Sequence, residues 1–182
     1  MKKLIAFLAV IVFVSCENKK SADGPPEEAK PSVPSNTSGF TAGYSFSFVM
    51  DPATNTEVVL ALWKDWKDGD ISKNRSHFAD SLTLILSDGS VMTGNTDELL
   101  KNMQEYRNSY KSIDVAVNTA FAVKSTDKDA HWVSIWGTEI QTDNAGKVDS
   151  VSLNETWRFN KEGKVDRMLQ YLRKGITPPP TK

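Results

Sequence analysis

Between residues 132 and 173 the chain alternates apolar and polar side chains three times over, a pattern that suits strands and not helices. Residues 132–141, 148–159 and 164–173 each run with period two. The pieces between them, Thr142-Asp143-Asn144-Ala145-Gly146-Lys147 and Asn160-Lys161-Glu162-Gly163, carry the Asn, Asp and Gly that tight turns use. Three consecutive antiparallel strands follow.

Their register can be read from the turns. Glu139 should face Val151, and Ile135 should face Glu155. Phe159 should then face Val165, Trp157 face Arg167, Glu155 face Leu169 and Leu153 face Tyr171. This puts Val133, Ile135, Gly137, Glu139, Val151, Leu153, Glu155, Trp157, Phe159, Val165, Arg167, Leu169 and Tyr171 on one face. That face is mostly apolar, so it is the one expected under helices. The opposite face holds Trp132, Ser134, Trp136, Thr138, Asn154, Thr156, Arg158, Met168 and Gln170. A one-residue slip in a turn would exchange the two.

Upstream, Asp51-Pro52 reads as a helix start, with proline at the first helical position. Val58, Val59, Leu62, Trp63 and Trp66 share a helical face, and Gly69 stops the helix. Residues 70–79 should form a short second helix or a turn. Residues 80–86 alternate with Leu82, Leu84 and Leu86 on one side, Ser87-Asp88-Gly89-Ser90 turns, and residues 91–94 return. Asn95 caps a further helix with Leu99, Met103, Tyr106 and Tyr110 as its apolar stripe. Residues 113–124 form a strand with Ile113, Val115, Val117, Phe121 and Val123 on one face. The fold class is therefore α+β: a strongly curved antiparallel sheet with about three N-terminal helices on its concave face.

The prolines divide the chain. Pro25, Pro26, Pro31 and Pro34 come early and Pro178, Pro179 and Pro180 come last, with Pro52 alone between them. Proline cannot donate to a sheet ladder, so the folded domain is placed at 43–175 with a disordered tail at 176–182. Before it, Lys2 and Lys3 precede an apolar run over residues 4–14 that is too short to span a bilayer, which takes about 20 residues. Residues 1–15 read as a signal peptide. Val12-Phe13-Val14-Ser15-Cys16 resembles a bacterial lipoprotein signal box, which implies cleavage before Cys16 and lipidation of its thiol; the alternative is an ordinary secretory signal with a chance cysteine. On the lipoprotein reading the chain is anchored in a bacterial cell envelope. Residues 16–42 make a polar, proline-rich tether, and residues 39–49 could be an aromatic strap on the domain or the end of the tether. Cys16 is the one cysteine, so no intrachain disulfide forms. A net charge of -1 gives no basic excess for nucleic acid.

The order of elements resembles the nuclear-transport-factor-2-like superfamily, particularly its SnoaL-like members. The resemblance is carried by Leu62-Trp63-Lys64-Asp65-Trp66 with Gly69-Asp70, by Phe78-Ala79-Asp80-Ser81-Leu82, and by Trp157-Arg158-Phe159-Asn160-Lys161-Glu162-Gly163-Lys164-Val165. It covers about residues 51–172. It implies a cone with a pocket between sheet and helices, and a dimer through the outer sheet face. The superfamily includes cyclases, isomerases, dehydratases and non-catalytic binding domains, so the resemblance leaves function open.

Three sets of residues are candidates. Glu155 and Arg167 are charged on an apolar face and within diagonal reach, either as the polar base of a ligand pocket with Trp63, Trp157 and Tyr171 or as an ion pair that fixes register. Trp63 and Trp66 on the first helix can be core or ligand platform. His77 and Asp80, near the start of the first strand of the sheet, could do proton chemistry, the family often keeping an acid there; both could equally be surface groups. His131 beside a charged turn should be solvated. Trp132, Trp136, Arg158 and Met168 on the outer face are the types enriched at interfaces and mark a dimer face. No metal-ligand spacing and no nucleotide-cofactor glycine pattern is present. The readings are a pocket domain that binds a small apolar or amphipathic ligand or a partner, an acid–base enzyme using Asp80, His77 or Glu155, and an assembly module.

Overall fold

The computed structural model describes residues 39–174. The signal-peptide and lipidation readings of residues 1–15 and Cys16, most of the 16–42 tether and the 176–182 tail fall outside those residues. The described chain runs β1 (Phe48–Met50), α1 (Thr54–Asp68), a single 3-10 turn (Arg75–His77), β2 (Phe78–Ile85), β3 (Val91–Asn95), α2 (Thr96–Arg107), β4 (Tyr110–Ser125), β5 (His131–Asp143), β6 (Val148–Phe159) and β7 (Val165–Lys174). Two α-helices form among these residues where about three helices were expected, because residues 70–79 close only the one 3-10 turn. No helix among them is long and apolar enough to cross a membrane.

One seven-stranded sheet takes the order β1-β4-β5-β6-β7-β2-β3, antiparallel except where β2 lies parallel to β7. The β5–β6 register is the one read from the turn: Glu139 opposes Val151 and Ile135 opposes Glu155. Val133, Ile135, Val151, Leu153, Trp157 and Phe159 are buried with Val59, Leu62 and Trp63 of α1, so this is the inner, helix-covered face.

The other two long strands change phase: β4 at Lys111, near its start, and again in its middle, and β7 once. In β4, Val117 opposes Gly137 but Thr119 opposes Trp136, so Asn118 is an extra residue. Beyond it Ala120 and Ala122 turn inward, and Phe121 and Val123, expected inside, turn outward. In β7, Phe159 opposes Val165 but Arg158 opposes Arg167, so Asp166 is the extra residue. A bulge of this kind moves every later side chain to the other face. Met168, Gln170 and Leu172 therefore take the inner face, and Arg167, Leu169 and Tyr171 the outer.

Local chemistry fixes the helices. Gly69 ends α1 at φ 89°, a left-handed position that glycine occupies without a Cβ clash, and its N–H bonds the Asp65 carbonyl. The buried Arg107 guanidinium then covers the same end: Nε donates to the Trp66 carbonyl at 2.6 Å and Nη2 to the Lys67 carbonyl at 2.9 Å. A cation at the carbonyl end also suits the helix dipole. Arg107 thus takes the buried end of α2, and Tyr106, expected in the apolar stripe, is 59% exposed. Asn95 caps α2 as expected, its side chain accepting from the Asp97 and Glu98 amides. At α1 the expectation fails: the cap position is Ala53, and Asp51 instead bonds His131 Nδ1 at 2.7 Å. His131 is accordingly half-buried and paired, not solvated.

Candidate functional site

Two carboxyl groups stand on the inner face of the sheet, and α1 supplies an indole to each. Trp63 and Trp66 lie three residues apart, which puts them on one side of the helix. Trp63 Nε1 donates to Glu155 Oε2 at 2.7 Å, and Trp66 hydrogen-bonds Glu139. Trp157 Nε1 donates to the same Glu155 oxygen at 3.1 Å, while Gln170 Nε2 donates to the other at 2.9 Å. Glu139 also accepts from Gln141 Nε2 at 2.9 Å. The Trp63 ring comes this close because Gly137 beneath it has no side chain.

Both carboxyls are displaced upward from the ordinary range. Burial pushes Glu155 to about 7; the Gln170, Trp63 and Trp157 donors pull against it, and the neighbouring Glu139 charge adds to it. Glu139 is also raised by burial, offset in part by Gln141, Trp66 and the Arg107 charge. A carboxyl near neutrality is poised for proton transfer. Here, however, both Glu155 oxygens are engaged by protein donors. Ile135, Leu153, Trp63 and Trp157 belong to the buried cluster on the same face. Trp63 and Trp157 both meet the Glu155 carboxyl within this cluster.

The expected site residues divide accordingly. Trp63, Glu155 and Trp157 do meet. Arg167 and Tyr171 do not join them, because the Asp166 bulge turns them outward, and Gln170 takes the place expected of Arg167. Asp80 is fully exposed and ion-paired with Arg75 at 3.6 Å, and His77 ends the 3-10 turn, so these two do not converge on an inner cavity. Met168, expected on the dimer face, is 3% exposed and part of the core. Trp132 and Arg158 are on the outer face as expected, but Trp132 is buried under Tyr44, with ring centroids 4.7 Å apart, and Arg158 is held by Asp166. Trp136 on that face is 43% exposed. Glu139 and Gln170 went unrecognised as part of the site; two inward-facing glutamates opposite two helical tryptophans was the available signal.

Among the described residues, no three His, Cys, Asp or Glu side chains are grouped so as to hold a metal ion. A surface depression of about 360 Å³ is lined by Ser72, Arg75 and the α2 residues Asp97, Leu100, Lys101, Gln104 and Glu105, and by neither glutamate.

No family model matches the sequence, and no curated protein does. Solved structures do. A protein from Shewanella denitrificans named as a SnoaL-like polyketide cyclase aligns with a TM-score of 0.55 at 10% identity, over 67% of this chain and 92% of its own. An NTF2-like protein of unknown function from Exiguobacterium aligns at 0.52 and 16% identity, over 66% and 98%. The epoxide hydrolase/cyclase-like enzyme SalBIII, of salinomycin pyran-ring formation, aligns at 0.50 and 18% identity, over 71% and 96%. The described domain has the nuclear-transport-factor-2-like fold in the form that SnoaL-like proteins share.

Proposed function

We propose that this chain is a lipid-anchored envelope protein whose domain binds a partner without catalysis, the first such partner being a second copy of itself. The observation that supports this reading is the engagement of Glu155: its oxygens meet Trp63, Trp157 and Gln170, so a substrate would have to displace a protein donor to reach either of them. The outer face is better supplied for contact. Trp136, Asn154 and Tyr171 oppose one another in one row across β5, β6 and β7, with Trp136 43% and Tyr171 63% exposed. Exposed aromatics on a sheet face are typical interface anchors. The lipid anchor rests on the Cys16 signal box alone.

Native mass spectrometry of the chain tests the binding reading. The expected result is a dimer that becomes monomeric in Trp136→Ser, with no small molecule carried along. A monomer, or a dimer indifferent to Trp136, would overturn it. For the anchor, Cys16→Ser should move the chain from the membrane fraction to the soluble one.

The second reading is a general acid–base enzyme working through Glu155, and its specific support is that carboxyl's value near 7. It requires Trp63 or Gln170 to yield its hydrogen bond to a substrate. A ligand retained in the native spectrum, displaced in Glu155→Gln, would favour it.

A further inference from the structure

Arg158 and Arg167 face each other directly across β6 and β7 on the outer face. Like charges in that relation repel, and one nearby carboxylate answers them. Asp166 gives both oxygens to Arg158, Oδ1 to Nε at 2.8 Å and Oδ2 to Nη2 at 3.0 Å. Arg167 is in no ion pair among the described residues. Its Nη1 donates to the hydroxyl of Tyr44 at 3.2 Å, and its Nε is buried with no acceptor. Trp132, in the same row one strand beyond Arg158, is 5% exposed, and its Nε1 is also buried with no acceptor.

Tyr44 joins the two. Its ring meets Trp132 edge-on at 4.7 Å and its hydroxyl meets Arg167, yet the residue is 41% exposed. It is carried on the segment before β1, which Ser45 and Ser47 tie to the β4–β5 turn at Asp127 and Thr126. Tyr44 therefore lies against both side chains while offering a single acceptor, which Arg167 Nη1 takes. Buried donors are almost always paired in folded proteins, and a guanidinium edge with a free N–H is shaped for a charged oxygen pair.

We propose that the outer face carries an oxyanion site, with Arg167 as its charged donor, Trp132 as its indole donor and Tyr44 as a displaceable cover. The ligand is a phosphate group, either free or on a phospholipid headgroup. The site lies on the same outer face as Trp136 and Tyr171, four residues away along β5 and β7.

The test follows the five indole N–H signals of the full chain by NMR in alkyl maltoside micelles, which carry no phosphate, with Trp132 assigned through Trp132→Phe. Inorganic phosphate is titrated at constant ionic strength set with chloride. The Trp132 signal is expected to move and saturate. Arg167→Gln should weaken the response roughly tenfold, the loss of one charge-assisted contact, and Tyr44→Ala should strengthen it by removing the cover. No saturable Trp132 response in either the native chain or Tyr44→Ala overturns the proposal. So does an equal response in Arg167→Gln, which would mark a general ion effect. Should Arg167→Gln not fold, the Tyr44→Ala comparison decides alone. Micelles doped with phosphatidylglycerol, without added phosphate, separate the sources: the same shift identifies a headgroup, and a shift with phosphate only identifies the free anion.

Discussion

Replacing Gly137 by alanine is expected to cost the fold about 3 kcal/mol, the upper part of the range for overpacking a filled interior. A Cβ there would stand 2.6 Å from Trp63 Cζ3 and 2.7 Å from the backbone oxygen of Ala116. The first contact belongs to a ring pinned to Glu155, and the second to the neighbouring strand of the sheet. Neither can yield cheaply. Gly137 is not among the positive-φ glycines, so the cost is steric and not conformational. Gly94→Ala is the control: it is also a strand glycine without positive φ, nothing lies within 4 Å of its added Cβ, and its loss should be small. Urea titrations of the two variants measure the difference. Equal stabilities would mean that Trp63 does not rest on Gly137.

The second large effect is a dependence on pH through Glu155. Its folded value is about 7 against an ordinary 4.5, so between these the folded state holds a proton that the unfolded state has lost. Stability is then fully present below about pH 4.5 and falls as pH rises through 7. The total from this group is on the order of 3 kcal/mol. Glu139, raised in the same direction, adds to the slope. Glu155→Gln keeps an oxygen for the two indoles and an amide that can pair with Gln170 after a flip, while removing the charge. It should abolish most of the fall and leave the variant more stable than the native chain at pH 8. Thermal unfolding at pH 5 and pH 8 reads this out. A native chain that gains stability over that span, with Glu155→Gln no different, would contradict the burial of the carboxyl.

The sequence is most legible where turn chemistry and alternation agree. The Asp143–Lys147 turn and the unbroken alternation on either side fix the β5–β6 register to the residue. They also bring Glu155 to α1, where Trp63 stands. Legibility fails at two of the bulges, because period-two reading assumes an uninterrupted ladder. Asn118 and Asp166 each add one residue, and everything beyond them reverses. At β7 a clue is present: Val165 and Met168 are three apart, not two, and Asp166 gains Arg158 as a partner only if the strand slips. In β4 the clue points the wrong way, since the larger Phe121 and Val123 look more like core than Ala120 and Ala122. The Asp51–His131 pair joins residues 80 apart and leaves no local signature. How closely Trp63 and Trp157 approach Glu155 is likewise not written in the pattern, since alternation records which side a residue faces but not how much space its neighbours leave.

If Glu155 sits in a closed core, with recognition left to the outside, the indole N–H groups of Trp63 and Trp157 are shielded, because each donates its proton to that carboxyl. Hydrogen exchange tests this most directly, with free N-acetyltryptophanamide in the same buffer as the reference for an open indole. On transfer to deuterated buffer, the Trp63 and Trp157 signals should persist long after the free indole has exchanged. Loss of both at the rate of the free indole would mean that water reaches Glu155 freely, and that the inner face is an open pocket.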